Sequence, residues 1–334
     1  MKKLFLVIII VLAVISGFWL ISRPTTPATQ SGLKIVASSW PAYVLSKPVV
    51  GDLTLLSGQS PDPHNFVVSP ETAKQLSQAD ILIVQGASLE AWIPNLLQTV
   101  ANPKLKIIEL SEGLPKLMDV RNVYDVKDAD SCGRKGGGWN DCGPNDCQLN
   151  GGQICPQVCG PGICQIKEED PHLWLDPISA SEEVKKLGEK LTQMTSDPFY
   201  STRALEYAIS LASLAKTGTD RLAGVSNRKY IIQHPFLTYL AKRLNLTQLA
   251  AFEETPGREP SAKDLSRIAS LVKRGKIKSV FVEPGEVEPY IKNFSKELNV
   301  KLVVLDPMER GEYVTDYYKK VFESNLNNIV EALK

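Results

Sequence analysis

The stretch PFYSTRALEYAISLASLAKTGTDRLAG, residues 198–224, divides the chain. It carries no proline after Pro198, and Leu205, Ala208, Ile209 and Ala212 fall at i, i+3, i+4 and i+7. That is the spacing of one apolar face on an α-helix. The sequence on either side has a different rhythm, in which short β-branched runs alternate with longer amphipathic ones.

Before the helix, LKIVAS (33–38), DLTLLS (52–57), ADILIVQG (79–86) and LKIIEL (105–110) read as buried strands. Between two of them SPETAKQLSQ starts like a helix, with Ser69 as the cap and Pro70 in the first helical position. After the long helix, RKYIIQ (228–233), KSVFVE (278–283) and VKLVVL (300–305) repeat the strand pattern, with SAKDLSRIASLVKRG as an intervening helix. Strands alternating with helices imply mostly parallel sheets with crossovers. The expected fold class is therefore α/β, in two lobes joined by one long rigid helix. The expected divisions are residues 1–32, a first lobe over 33–197, the linker helix at 198–226 and a second lobe over 227–334. A length of 334 residues suits two lobes better than one core.

Lys2 and Lys3 precede an uncharged run from Leu4 to Ile21, LFLVIIIVLAVISGFWLI. At 1.5 Å per residue a helix there would reach roughly 27 Å, close to the thickness of a bilayer core. The preceding lysines would place the rest of the chain outside the cytoplasm. An uncleaved anchor is preferred to a cleaved signal peptide, because no A-x-A-like site follows the apolar run. Ser22 to Gly32 reads as a tether. Cys132 is the first cysteine in the chain, which excludes a lipid-bearing cysteine near the anchor. Basic and acidic residues nearly balance, 38 against 37, and no basic stripe appears, so no nucleic-acid partner is indicated.

All six cysteines, Cys132, Cys142, Cys147, Cys155, Cys159 and Cys164, lie in one segment with nine glycines and three prolines. The segment interrupts the first lobe at about 128–167 and lacks aliphatic periodicity. It reads as an insertion organised by cross-links. No C-x-x-C pair occurs, and disulfides suit an exported chain better than a second metal site.

The chain has only three histidines, His64, His172 and His234. His234 directly follows RKYIIQ, and His64 lies a short loop after DLTLLS. His172 precedes a helix expected to begin near Pro177, and Asp306 follows VKLVVL. In open α/β sheets ligands bind beyond the carboxyl ends of strands. The three histidines and Asp306 can therefore converge between the lobes. Three imidazoles and one carboxylate suit Zn²⁺, whereas Mn²⁺ prefers a more oxygen-rich shell. Asp170 or Asp176 stands near enough in sequence to orient His172, with helix capping as the other reading, and Glu283 is a further outer-shell candidate. Trp92 and Trp174 read as packing residues.

SPDPHNFVVSPETAKQLSQADILIVQGASLEAWI (60–93), DPHLWLDP (170–177) and HPFLTYLAKRLNL (234–246) resemble the three metal motifs of the cluster A-I solute-binding proteins. These serve zinc and manganese ABC transporters and include ZnuA, TroA and PsaA. GREPSAKDL (257–265) and the stretch from Val280 to Pro307 resemble that family's C-terminal lobe. The resemblance implies two α/β lobes with a metal site in the cleft between them. It makes His64, His172, His234 and Asp306 the ligands, with histidine in the third place as the zinc-associated variant. It implies an extracytoplasmic monomer that delivers Zn²⁺ to an ABC permease. The sequence departs from many zinc members in having the Cys/Gly segment where a His-rich loop would stand.

A manganese-binding member, a surface metallohydrolase and an adhesin are the alternatives. A hydrolase would need a general base beside a metal-bound water. No H-E-x-x-H pair is present, and Glu283 and Glu286 are the nearest carboxylates after a strand. The expected class is therefore a binding protein and not an enzyme.

Overall fold

The first lobe is built on β1 (Ile35–Ala37), α1 (Trp40–Val50), β2 (Thr54–Leu55), α2 (Pro70–Ser77), β3 (Ile81–Val84), α3 (Ile93–Thr99) and β4 (Lys106–Glu109). Its four strands are all parallel, in the order β2-β1-β3-β4. The computed structural model describes residues 32–58, 60, 62–120, 124–125, 159–160, 163–164, 167–253 and 259–334. The expected membrane anchor lies outside the described residues, as do Cys132, Cys142, Cys147 and Cys155. Cys159 and Cys164 are described by backbone only, within the short antiparallel strands β6 (Tyr124–Asp125), β7 (Cys159–Gly160) and β8 (Ile163–Cys164). The strands on either side of the cysteine segment, β5 (Met118–Val120) and β9 (Lys167–Glu169), pair antiparallel.

A single turn of 3₁₀-helix at Leu173–Leu175 leads into α4 (Pro177–Thr195), and α5 (Phe199–Leu222) follows. The second lobe contains β10 (Lys229–Ile232), α6 (Thr238–Leu244), β11 (Thr247–Ala251), α7 (Ala262–Gly275), β12 (Ser279–Val282), α8 (Pro289–Leu298), β13 (Lys301–Val304) and α9 (Tyr317–Leu333). Its sheet is again all parallel, in the order β11-β10-β12-β13. The two lobes thus share one topology, with the switch point between their first and third strands.

Side chains alternate across each sheet and divide into cores. Ile81 and Ile83 of β3 join one cluster, while Leu82 and Val84 join another on the opposite face. In β10, Tyr230 and Ile232 face one way and Ile231 the other. Covering both faces of a parallel sheet is what makes these strands read as unbroken apolar runs. The inner faces of both sheets enter a single cluster, together with Leu187 of α4, Leu211 of α5 and Phe322 of α9. Burial of each such aliphatic side chain contributes about 1.5–3 kcal/mol. The two lobes are therefore welded by a continuous core.

Helix α5 is where sequence pattern and packing part. Of the four residues that mark its apolar face, Ala208 is buried, but Leu205 is 53% exposed and Ile209 62% exposed. The buried face runs instead through Ala204, Ala208, Leu211, Ala215, Gly218 and Leu222. Its small residues let α4 and α5 approach closely: a Cβ added at Gly188 would stand 2.3 Å from the Ala204 Cβ. Close helix contact selected small side chains, and a count of large hydrophobics cannot see that face.

Local signals elsewhere match the structure. Ser69 accepts from Thr72 N at 3.1 Å and caps α2, and Ser261 and Asp264 form a reciprocal capping box on α7. Strand β11, TQLAA, has too weak a pattern to be expected. It forms because its backbone completes the edge beside β10. Among the described residues no helix is long and apolar enough to cross a membrane.

Candidate metal centre

His64 sits in the loop after β2. The Asp62 carboxylate accepts from the backbone N–H of His64 at 2.8 Å and of Asn65 at 3.3 Å, which turns the chain. Trp92 Nε1 donates to Pro63 O at 3.0 Å and ties that turn to the lobe. His172 follows β9 and lies against the Trp174 ring. His234 follows β10 by two residues, at the switch point of the second sheet.

These are the chain's three histidines, and they meet. Ring centroids are 5.6 Å apart for His64 and His172, 5.9 Å for His64 and His234, and 5.3 Å for His172 and His234. One nitrogen from each lies within 4.8 Å of the others, and among the described residues this is the one such group of metal-capable side chains. His64 Nε2 is buried and has no hydrogen-bond partner.

Carboxylates set the orientation of two rings. Asp170 Oδ1 lies 2.7 Å from His172 Nδ1 and also accepts from the His172 backbone N–H at 2.8 Å. Glu283 Oε1 lies 3.2 Å from His234 Nδ1. An acid on Nδ1 leaves Nε2 to face the centre, the arrangement metal-binding histidines commonly use. Asp176 does not touch His172. It caps α4 by accepting from Ser179 N at 3.3 Å, and it pairs with Arg243.

The two acids that follow β13 are placed differently, and neither belongs to the close group of three histidines. Asp306 Oδ1 accepts from Met308 N at 2.7 Å, and the Asp306 backbone is held on both sides by Asn325. Asp306 thus forms the turn after β13, and that turn presents Glu309. Glu309 is 6% exposed, and its Oε1 stands 3.2 Å from His172 Nε2 and 3.9 Å from His64 Nε2. Sequence reasoning passes over Glu309 because both acids follow the same strand. Only the turn geometry decides which one faces inward. A cavity of about 360 Å³ opens beside the centre, lined by Glu283, Asp306, Glu309, Arg310 and Glu312 among others.

Protonation follows from the burial and the pairing. Burial, with the neighbouring His172 and His234, pushes the His64 imidazole down to about 3, so its lone pair is free. Burial alone would also lower His172, but the Asp170 charge and hydrogen bond, aided by Glu309, push it up to about 10. Burial raises Glu309 and Asp306 above the usual carboxylate range. The Asp170 carboxyl is held low despite its burial, because His172 lies against it. Three imidazoles and the adjacent Glu309 carboxylate are a donor set of the N₃O kind, which suits a borderline cation. Glu286 does not approach it and is 93% exposed at the side chain.

Two α/β lobes with a shared core, and a polar centre at the strand ends between them, define a bilobal binding protein. Residues 35–332 match the family described as zinc-uptake complex component A, periplasmic (ZnuA), and the chain belongs to that family. The family is one of extracytoplasmic solute-binding proteins, not enzymes. The chain is 27% identical over 341 residues to the zinc-binding lipoprotein AdcA of Streptococcus pneumoniae, covering 99% of this chain and 61% of that protein. It therefore spans less than two thirds of that relative's length. It is 22% identical over 282 residues to the high-affinity zinc uptake system protein ZnuA of Bacillus subtilis, covering 83% and 79% of the two chains. A Zn(II)-bound variant of AdcAII from Streptococcus pneumoniae superposes with a TM-score of 0.69 at 26% identity, over 91% of this chain and 99% of that one.

Proposed function

We propose that this protein captures Zn²⁺ outside the cytoplasm through His64, His172, His234 and Glu309 and passes it to an ABC permease. The observation that carries the reading is the convergence of the only three histidines in 334 residues to within 4.8 Å, nitrogen to nitrogen. Zinc takes such a set tetrahedrally at about 2.0–2.2 Å. Mn²⁺ is the lesser cargo, because nitrogen donors outnumber oxygen. Glu309 replaces Asp306 as the fourth ligand, and Asp170 and Glu283 orient the rings.

Competition of the soluble protein for Zn²⁺ against a chromophoric chelator tests this, with Mn²⁺ titrated beside it. One zinc per chain and a much weaker Mn²⁺ response are expected. Equal affinity for both ions would remove the zinc assignment. Glu309→Gln should weaken zinc binding far more than Asp306→Asn, since asparagine keeps the acceptor for Met308 N. The reverse order would return the role to Asp306.

The reading includes an N-terminal membrane tether through Leu4–Ile21 and disulfides among the six cysteines. Membrane fractionation tests the first. Intact mass after alkylation without reductant tests the second: a fully paired segment takes up no label.

A further inference from the structure

The segment that carries His172 is bound at both ends to a helix of the opposite lobe. At its start, Tyr239 Oη on α6 donates to Asp170 O at 3.0 Å while accepting from Leu117 N at 2.9 Å. At its end, Arg243 on the same helix donates Nε to Asp176 Oδ1 at 2.7 Å and Nη2 to Asp176 Oδ2 at 2.8 Å. Tyr239 and Arg243 stand four residues apart, so they share one face of α6. Between those ends, the Leu173 side chain packs with Tyr239 and Ala87. Helix α6 begins four residues after His234, and Asp176 lies four residues after His172. The same helix therefore sets the distance between two of the three histidine loops.

We propose that Arg243, assisted by Tyr239, is a positioning residue of the metal centre, holding the 170–176 segment against α6 so that His172 meets His234. This rests on the zinc reading above. The fork is suited to the task, because a planar guanidinium fixes both oxygens of a carboxylate at once. Asp176 is 3% exposed and also caps α4, so its place is not adjustable from its own side. Arg243 is 35% exposed at the side chain and stands at the edge of the shared core. Its loss would release the register of the segment while leaving the two sheets packed. Trp174 Nε1 donating to Pro307 O, and Tyr318 Oη donating to Trp174 O, hold the middle of the segment but neither of its acid ends.

The test uses Arg243→Gln, Arg243→Lys, Asp176→Asn and Tyr239→Phe, with His234→Ala as the control for the site itself. Zinc competition, the visible spectrum of the Co²⁺-loaded protein and apo melting are measured on each. Arg243→Gln should weaken zinc roughly tenfold, the lower end for residues that orient metal ligands, and should shift the Co²⁺ bands. Arg243→Lys should recover part of the affinity, since lysine restores the charge without the fork. Asp176→Asn should match Arg243→Gln, and the double variant should be no worse than either. Tyr239→Phe should give a smaller loss in the same direction. Wild-type zinc affinity and an unchanged Co²⁺ spectrum in Arg243→Gln would overturn the proposal, even with a lower melting temperature. If His234→Ala also titrates like wild type, the zinc site is misplaced and the failure belongs to that reading.

Discussion

The two lobes have the same strand order and therefore the same crevice, at the carboxyl ends of their first and third strands. In the first lobe that crevice is filled by the chain itself. The Glu90 carboxylate accepts from Ser38 Oγ at 2.6 Å, Ser39 Oγ at 2.7 Å, Gln85 N at 2.9 Å and Gly86 N at 3.0 Å. In the second lobe the matching place holds His234 beside Glu283, facing the centre. One topology thus yields a structural plug on one side and, on the other, a histidine that faces its two fellows. The fold supplies the position, and the residues placed there decide whether it binds anything.

Exchanging the two roles gives the largest expected effects. Glu90→Ala leaves four donors, three of them buried, without their acceptor and should destabilise the protein by about 3 kcal/mol or more. Any loss of zinc affinity should be small by comparison. His234→Ala should do the opposite, weakening zinc by at least about a hundredfold, more than the loss of an orienting residue, with little change in apo melting. Chemical denaturation and zinc competition on both variants check this. Similar profiles for the two would erase the distinction between plug and ligand.

The next effect concerns the seam that joins the lobes. Gly188→Ala forces a methyl group against Ala204 where α4 meets α5, and overpacking of this kind costs about 1–3 kcal/mol. Because one core serves both lobes, denaturation should stay a single transition. Solution scattering curves with and without Zn²⁺ should also nearly superimpose. Separate unfolding of the lobes, or marked compaction with metal, would break the picture of a shared core.

A third prediction separates the histidines by charge. In the apo-protein His172 holds its proton up to about pH 10, whereas an unfolded imidazole releases it near ~6.5. That contribution to apo stability is complete below about 6.5 and disappears as the pH rises through about 10. Zinc reverses the sign, since it must displace the same proton. Zinc affinity should therefore rise with pH across the neutral and mildly alkaline range, by roughly tenfold per unit for one proton. His64, pushed down to about 3, should release none at neutral pH. Calorimetry at pH 7.5 in buffers of different ionisation enthalpy reads the proton count directly. A count near zero would show His172 to be neutral before the metal arrives.

Asp306→Asn gives the smallest effect. Its zinc affinity should change less than about threefold, because it forms a turn that asparagine also forms. A loss matching that of Glu309→Gln would make the two acids equal partners in the second lobe's share of the site.

The elements legible in the sequence are those whose cause is local. Runs such as ILIV in β3 and VFV in β12 are apolar on every side because both faces of a parallel sheet are covered, so they announce themselves. The caps at Ser69 and Ser261 need only the following turn. That His64 and His234 could come together was legible because each follows a strand of a parallel sheet at its carboxyl end, which chain direction fixes. Three outcomes waited for the tertiary structure. The buried face of α5 depends on how near α4 comes, and close approach favours alanine and glycine over the leucine and isoleucine that a periodicity count follows. Strand β11 exists because β10 offers it an edge, not because TQLAA prefers to be extended. The different placing of Asp306 and Glu309 goes with one hydrogen bond, from Met308 N to Asp306 Oδ1, which holds the first acid at its own backbone while the second stands beside His172. Sequence alone determined which residues could serve, because side-chain chemistry and strand direction are written residue by residue. Tertiary structure decided which of them stand together, because facing, distance and burial are properties of the packed whole.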